Sequence, residues 1–122
     1  MTSVKSYRDL EVWRKSIELV EMVYRLSSGF PQEERFGLTS QIRRAAVSVA
    51  ANIAEGAERE GTGEFLQFLG IASGSLAETE TLLVVAQRLN LAREQDVRDL
   101  MEQAATAGRM LNGLKRSLRS KA

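Results

Sequence analysis

Apolar residues recur at spacings of three and four along four stretches of the chain, the period of an amphipathic helix. In the first stretch the stripe is Leu10, Trp13, Ile17, Val20 and Tyr24, widened by Val12, Leu19, Val23 and Leu26. It predicts a helix over about 9–28. The segment "SSGFP" should end it, with Gly29 in a left-handed terminal position and Pro31 unable to continue. Residues 30–37 read as a connection with a short helical turn. A second helix is predicted over 38–59, starting near Gly37 or Thr39, and "EREGTGE" interrupts the pattern after it. Thr62 reads as the N-cap of a third helix, 63–89, with Glu64 in its first turn. Phe65, Phe68, Leu69, Ala72, Leu76, Leu83 and Ala86 form its core face, and Asn90 marks its end. The fourth helix, 94–119, carries Val97, Met101, Ala104, Gly108, Leu111, Leu114 and Leu118. No stretch alternates with period two. The predicted fold class is all-α: an antiparallel up-down four-helix bundle, one domain over residues 1–122.

The second helix is unusual. Gln41, Arg44, Ser48, Asn52, Glu55 and Arg59 align in a polar stripe roughly 80° wide at 100° per residue. Ile42, Ala45, Ala46, Val49, Ala50, Ile53, Ala54 and Ala57 fill most of the remaining circumference, and Val47 and Ala51 flank the stripe. A helix facing water usually shows a broader polar face. Either the stripe is simply the exposed face, with alanines tolerating water as good helix formers, or the helix is covered on most sides, by its own bundle and by another subunit, as Val47 outside the main apolar arc suggests. Glu55 precedes Arg59 by four residues, the favoured order for a helical ion pair. Arg43 sits apart from the stripe, placed to reach another helix or subunit. Gly70 and Gly74 are four apart within the third helix, and Ala46, Ala50 and Ala54 offer a matching small face. That spacing predicts close packing of these two helices. Ser75 and Glu78 lie at the edge of the same seam, where Glu78 could meet Arg43 or Arg44. Leu66, Val84 and Val85 fall outside the core arc and add to the case for a subunit contact.

Composition narrows the chemistry. The 122 residues include no Cys and no His. That excludes disulfides, thiol nucleophiles, thiolate metal sites and the commonest general base. Ser48 and Ser75 have no histidine to activate them, and "GTGEF" lacks a phosphate-loop lysine. No catalytic, cofactor-binding or metal-binding residues are assigned, and no cofactor is expected. No apolar run approaches a membrane span, and "MTSVKSYRDL" lacks the core of a secretory signal. The expected location is cytoplasmic, with no membrane partner. Seventeen basic and 16 acidic residues give a net charge of +1, yet Arg109, Lys115, Arg116, Arg119 and Lys121 end the chain with no acid among them. They suit either a helix C-terminus or a polyanion. No aromatic cluster announces a stacking platform for bases.

Three segments carry a resemblance. "YRDLEVW", "FPQEERFGLTSQIRRAAVSVAANIAEG" and "FLQFLGIASGSLAETETLL", spanning about residues 7–92, resemble the four-helix-bundle proteins encoded in intervening sequences of 23S ribosomal RNA genes. The fourth helix matches only in character. The resemblance implies a bacterial homopentamer, a barrel of bundles around a channel. It also implies kinship with accessory proteins of diversity-generating retroelements, which bind a reverse transcriptase and nucleic acid. Family-typical positions are Arg43, Arg44, Ser48, Asn52, Glu55, Gly56, Arg59, Gly74, Ser75 and Glu78. At "EREGTGEF" the family commonly carries serine and lysine, so local positive charge is lower here. The expected function is a non-enzymatic oligomeric scaffold that binds RNA or DNA. Arg109, Lys115, Arg116, Arg119 and Lys121 are its first candidate contacts, with Arg43, Arg44 and Arg59 second. The alternatives are a protein-binding adaptor, such as a reverse-transcriptase accessory subunit, and a structural oligomer without its own ligand.

Overall fold

The computed structural model describes residues 6–121. The chain ends assigned to the domain, residues 1–5 and 122, lie outside the described residues, as does half of the N-terminal segment read for a secretory signal. The chain is all-α, with α1 over Glu11–Ser27, α2 over Leu38–Ala57, α3 over Thr62–Arg88 and α4 over Glu94–Lys121. No strand occurs among the described residues. α1 packs on α2 and α4, and α3 packs on α2 and α4, an arrangement consistent with a four-helix bundle.

Local chemistry sets each boundary. Before α1, Tyr7–Asp9 form a 3-10 turn closed by a capping box. The Ser6 hydroxyl accepts from the Arg8 N–H, and the Asp9 carboxylate accepts from the Ser6 N–H. α1 therefore starts at Glu11, two residues later than the predicted bound. Its C-terminus also differs from expectation, because no glycine among the described residues has a positive φ. Instead Gly29 N–H donates to Leu26 and Phe30 N–H to Ser27, tight turns that fold Phe30 into the core. A second 3-10 turn, Gln32–Glu34, follows Pro31. Gly37 is the N-cap of α2, and the Glu34 carboxylate accepts from the Leu38 N–H at 3.1 Å. Thr62 is the first residue of α3 rather than its cap. Gly61 holds that place, accepting from the Phe65 N–H. α3 ends in a Schellman motif: Leu91 N–H reaches Ala86, Asn90 N–H reaches Gln87, and Asn90 takes φ 60°. Asparagine tolerates that left-handed conformation better than most residues.

The core runs the length of the four helices. α2 contributes Leu38, Ile42, Ala45, Ala46, Val49, Ala50 and Ile53, and α3 contributes Leu69, Ala72, Leu76, Leu82, Leu83 and Ala86. α4 adds Val97, Leu100, Ala104, Ala107 and Leu111. Each large apolar side chain so buried is worth about 1.5–3 kcal/mol. In α1 the buried line is Val12, Ser16, Leu19, Val23 and Ser27, while Trp13, Ile17 and Val20 are half-buried and Tyr24 is exposed. The predicted stripe is thus rotated. Two serines occupy core positions because each hydroxyl donates to a carbonyl three residues back, Ser16 to Trp13 and Ser27 to Tyr24. A serine bonded in this way costs little to bury.

Gly108 lies midway along α4, and a Cβ added there would sit 3.5 Å from Leu76 Cδ2, ordinary van der Waals contact. Gly108→Ala is therefore expected to stabilise the fold by about 1 kcal/mol through helix propensity. A lowered urea midpoint would contradict this.

Candidate nucleic-acid interface

The polar stripe of α2 divides into two parts. Ser48 and Ser75 share a hydrogen bond of 2.8 Å between their hydroxyls, across α2 and α3. The Asn52 amide donates to the Ser48 carbonyl at 2.8 Å and to its hydroxyl at 2.9 Å. These three half-buried residues satisfy one another and stitch the seam. Glu55 and Arg59 form the expected ion pair, at 3.2 Å. Both are exposed, so the pair contributes only ~0.3–0.5 kcal/mol. The Arg59 guanidinium also lies 4.8 Å from the Phe68 ring centroid. Glu78 is exposed and stands in no ion pair with Arg43 or Arg44, although it lines the same concavity as Arg44.

α2 and α3 pack closely as expected, but Gly70 and Gly74 do not provide the approach. Gly70 and Gly74 are exposed, and a Cβ at either would meet nothing within 4 Å. They face away from α2. The close approach is at Gly56, where an added Cβ would lie 2.7 Å from Phe68 Cβ and 3.0 Å from Phe65 Cδ1.

The basic residues of α4 do not form one patch. Lys115 turns toward α3, where its ammonium donates to the Ser73 hydroxyl at 2.6 Å. Arg109 is exposed and donates to the Thr106 hydroxyl at 3.1 Å. Arg116 and Arg119 are exposed and share its side of the helix, within roughly 80° at 100° per residue. Lys121 points to the other side, lining a hollow with Ser6 and Tyr7.

A second cationic cluster assembles at the N-terminal end of α2, from residues distant in sequence. Arg43 crosses to α1: its Nε donates to the Ser27 hydroxyl at 2.8 Å, and its guanidinium lies 4.4 Å from the Tyr24 ring centroid. Arg35 sits 5.3 Å from the centroid of the Phe36 ring. Phe36 is 88% exposed, the most exposed large apolar residue among those described. Tyr24, Arg35, Phe36, Thr39, Ser40, Arg43, Arg44 and Val47 line one concavity of about 500 Å³. A neighbouring hollow shares Phe36, Ser40 and Arg44 with it. No described carboxylate stands within ion-pair distance of Arg35, Arg43 or Arg44. Sequence reading missed Arg35, Phe36 and Tyr24. The one available signal was a large apolar residue in "ERFG" that belongs to neither helical stripe.

Beside this corner runs an apolar face. Gly70, Gly74, Ala77, Val84 and Val85 fall within roughly 100° on α3 and are all exposed, with Thr81, Arg88 and Gln67 the polar residues in the same arc. Ile71 is 47% exposed at its border, and Val47 on α2 is 42% exposed. Against the sequence expectation that no apolar run approaches a membrane span, α3 is by length and composition apolar enough to cross one, with a third of its most apolar stretch buried in the fold. Leu69, Ala72, Leu76 and Leu83 are committed to the core, and the exposed Glu78 falls between Val85 and Ile71 at the border of the apolar face.

Fold and surface together define a helical-bundle protein with one uncovered apolar face and a separate cationic, aromatic corner. The chain belongs to the 23S rRNA-intervening sequence protein family, whose model matches residues 8–113. No curated protein matches it. Among solved structures it is similar to a protein of unknown function from the S23 ribosomal protein family of Bacteroides thetaiotaomicron. That likeness has 24% identity, covers 86% of this chain and 95% of the other, and has a TM-score of 0.80, which shows a shared fold.

Proposed function

We propose that the protein is a cytoplasmic, non-enzymatic scaffold: a homo-oligomer of antiparallel up-down bundles that holds RNA or DNA on its cationic surfaces. The observation that carries this reading is α3. A helix this apolar, with only a third of its most apolar stretch buried, has a face that water covers poorly and a second copy would cover well. The antiparallel order is supported by partner numbers along the seam, Ser48 with Ser75 and Gly56 with Phe65 and Phe68, which run in opposite directions. Five copies is the number that the family resemblance implies. Oligomerisation repeats each cationic cluster, so a protein of net charge +1 presents a ring of guanidinium groups.

A scaffold role also suits the bonded state of the polar seam. Ser48, Asn52 and Ser75 engage one another, and Glu55 engages Arg59. Titration with labelled RNA and DNA should show binding at low salt that weakens as salt rises, with a slope of about 0.7 per phosphate contact on single strands. Absence of binding at low salt would refute the nucleic-acid part. A 13.5 kDa monomer that forms a stoichiometric complex with a different protein would assign the α3 face to an adaptor, a reverse-transcriptase accessory role included.

A further inference from the structure

We propose that the corner formed by Tyr24, Arg35, Phe36, Arg43 and Arg44 is a binding site for a single-stranded polynucleotide. Bases would stack on Phe36, and phosphates would contact Arg35 and Arg44. The proposal rests on the nucleic-acid reading above and names the site and the strandedness of its ligand.

Three observations carry it. First, Phe36 is 88% exposed in the connection before α2, directly after the charged residues Glu33, Glu34 and Arg35. A lone exposed ring needs no partner by itself, but its open face is available for stacking, and a nucleobase presents a flat apolar surface of suitable shape. Second, both aromatic rings of the corner already lie beside a guanidinium, Arg35 at 5.3 Å from Phe36 and Arg43 at 4.4 Å from Tyr24. Stacking surface alternating with cations is what a strand needs, because bases and phosphates alternate along it. Third, Arg35, Arg43 and Arg44 have no ion-pair partner among the described carboxylates, and the Thr39 and Ser40 hydroxyls line the same wall.

The two classes of residue have different duties. Arg43 is held by Ser27 and by the Tyr24 carbonyl, so it fixes the corner's shape and contributes charge. Arg35 and Arg44 are exposed and available for direct contacts. A double helix keeps its bases stacked on each other and would leave Phe36 unused. The corner therefore favours single strands of RNA and DNA alike, since the chemistry it reads, base faces and phosphodiesters, is common to both.

The test is fluorescence anisotropy with the full chain and labelled oligouridine and oligothymidine of roughly 15 nucleotides, each beside a duplex of equal length. Phe36→Ala should weaken single-strand binding by about 5- to 100-fold and leave duplex binding unchanged. Arg35→Gln with Arg44→Gln should lower the salt slope by about 1.4. Arg98→Gln, which removes one charge already paired with Glu94, should change affinity by less than about twofold. Equal losses on the two strands support the shared chemistry, and a loss on one alone assigns the site to that polynucleotide. If the wild type binds and Phe36→Ala binds equally well, the site is refuted while the general reading stands. No binding by the wild type at low salt defeats both. A change in particle mass on Phe36→Ala would make the corner a subunit contact and overturn the proposal.

Discussion

Gly56→Ala is expected to lower the unfolding free energy by about 1–3 kcal/mol, although alanine is the better helix former by roughly 1 kcal/mol. The new methyl would lie 2.7 Å from Phe68 Cβ, 3.0 Å from Phe65 Cδ1 and 3.3 Å from the Phe65 carbonyl oxygen. The first and last of these atoms are close to backbone and cannot swing away as the tip of a flexible side chain could. Relief requires α3 to move off α2 near the connection between them. That displacement would also strain the Ser48–Ser75 hydrogen bond further along the seam. Urea denaturation measures the change. A midpoint equal to or above wild type would show that α2 and α3 have slack at this point. Gly56→Ala combined with Phe65→Ala should cost less than the sum of the two single changes, because the second removes the Phe65 Cδ1 contact at 3.0 Å.

Ile71→Glu together with Val84→Glu is expected to dissociate the proposed homo-oligomer. Both side chains are exposed in the single chain, 47% and 40%, so neither change disturbs the core. In an oligomer built through the α3 face, each glutamate would be buried without a partner charge, at a cost of several kcal/mol per site. Even ~3 kcal/mol weakens association by more than 100-fold. Light scattering should then give the protomer mass of 13.5 kDa with an unchanged helical circular-dichroism signal. An oligomeric mass equal to wild type would place the subunit contact elsewhere.

Helices were legible in the sequence because their apolar periodicity is local. The Glu55–Arg59 pair was legible for the same reason, being set by a spacing of four on one helix. What depends on the rotation of one helix against another was not. The α1 core line turned by one position toward Val12, Leu19 and Val23, because serines at 16 and 27 can satisfy themselves and be buried. Gly70 and Gly74 suggested close packing from spacing alone. Spacing says that residues share a face, not which neighbour, if any, that face meets. The important glycine, Gly56, carries no special spacing at all. The basic end of α4 is contiguous in sequence yet splits three ways around the helix, with Lys115 drawn to Ser73. The cationic corner is the reverse case. Tyr24, Phe36 and Arg43 lie in α1, a connection and α2, so only the folded chain brings them together.

The most direct single measurement is sedimentation velocity of the protein at micromolar concentration with a labelled single-stranded oligonucleotide in low salt. An oligomeric nucleic-acid scaffold predicts that the label travels with a particle of several 13.5 kDa chains, five if the family resemblance holds for stoichiometry. A protein boundary at the mass of one chain, with the labelled strand sedimenting free, would contradict it.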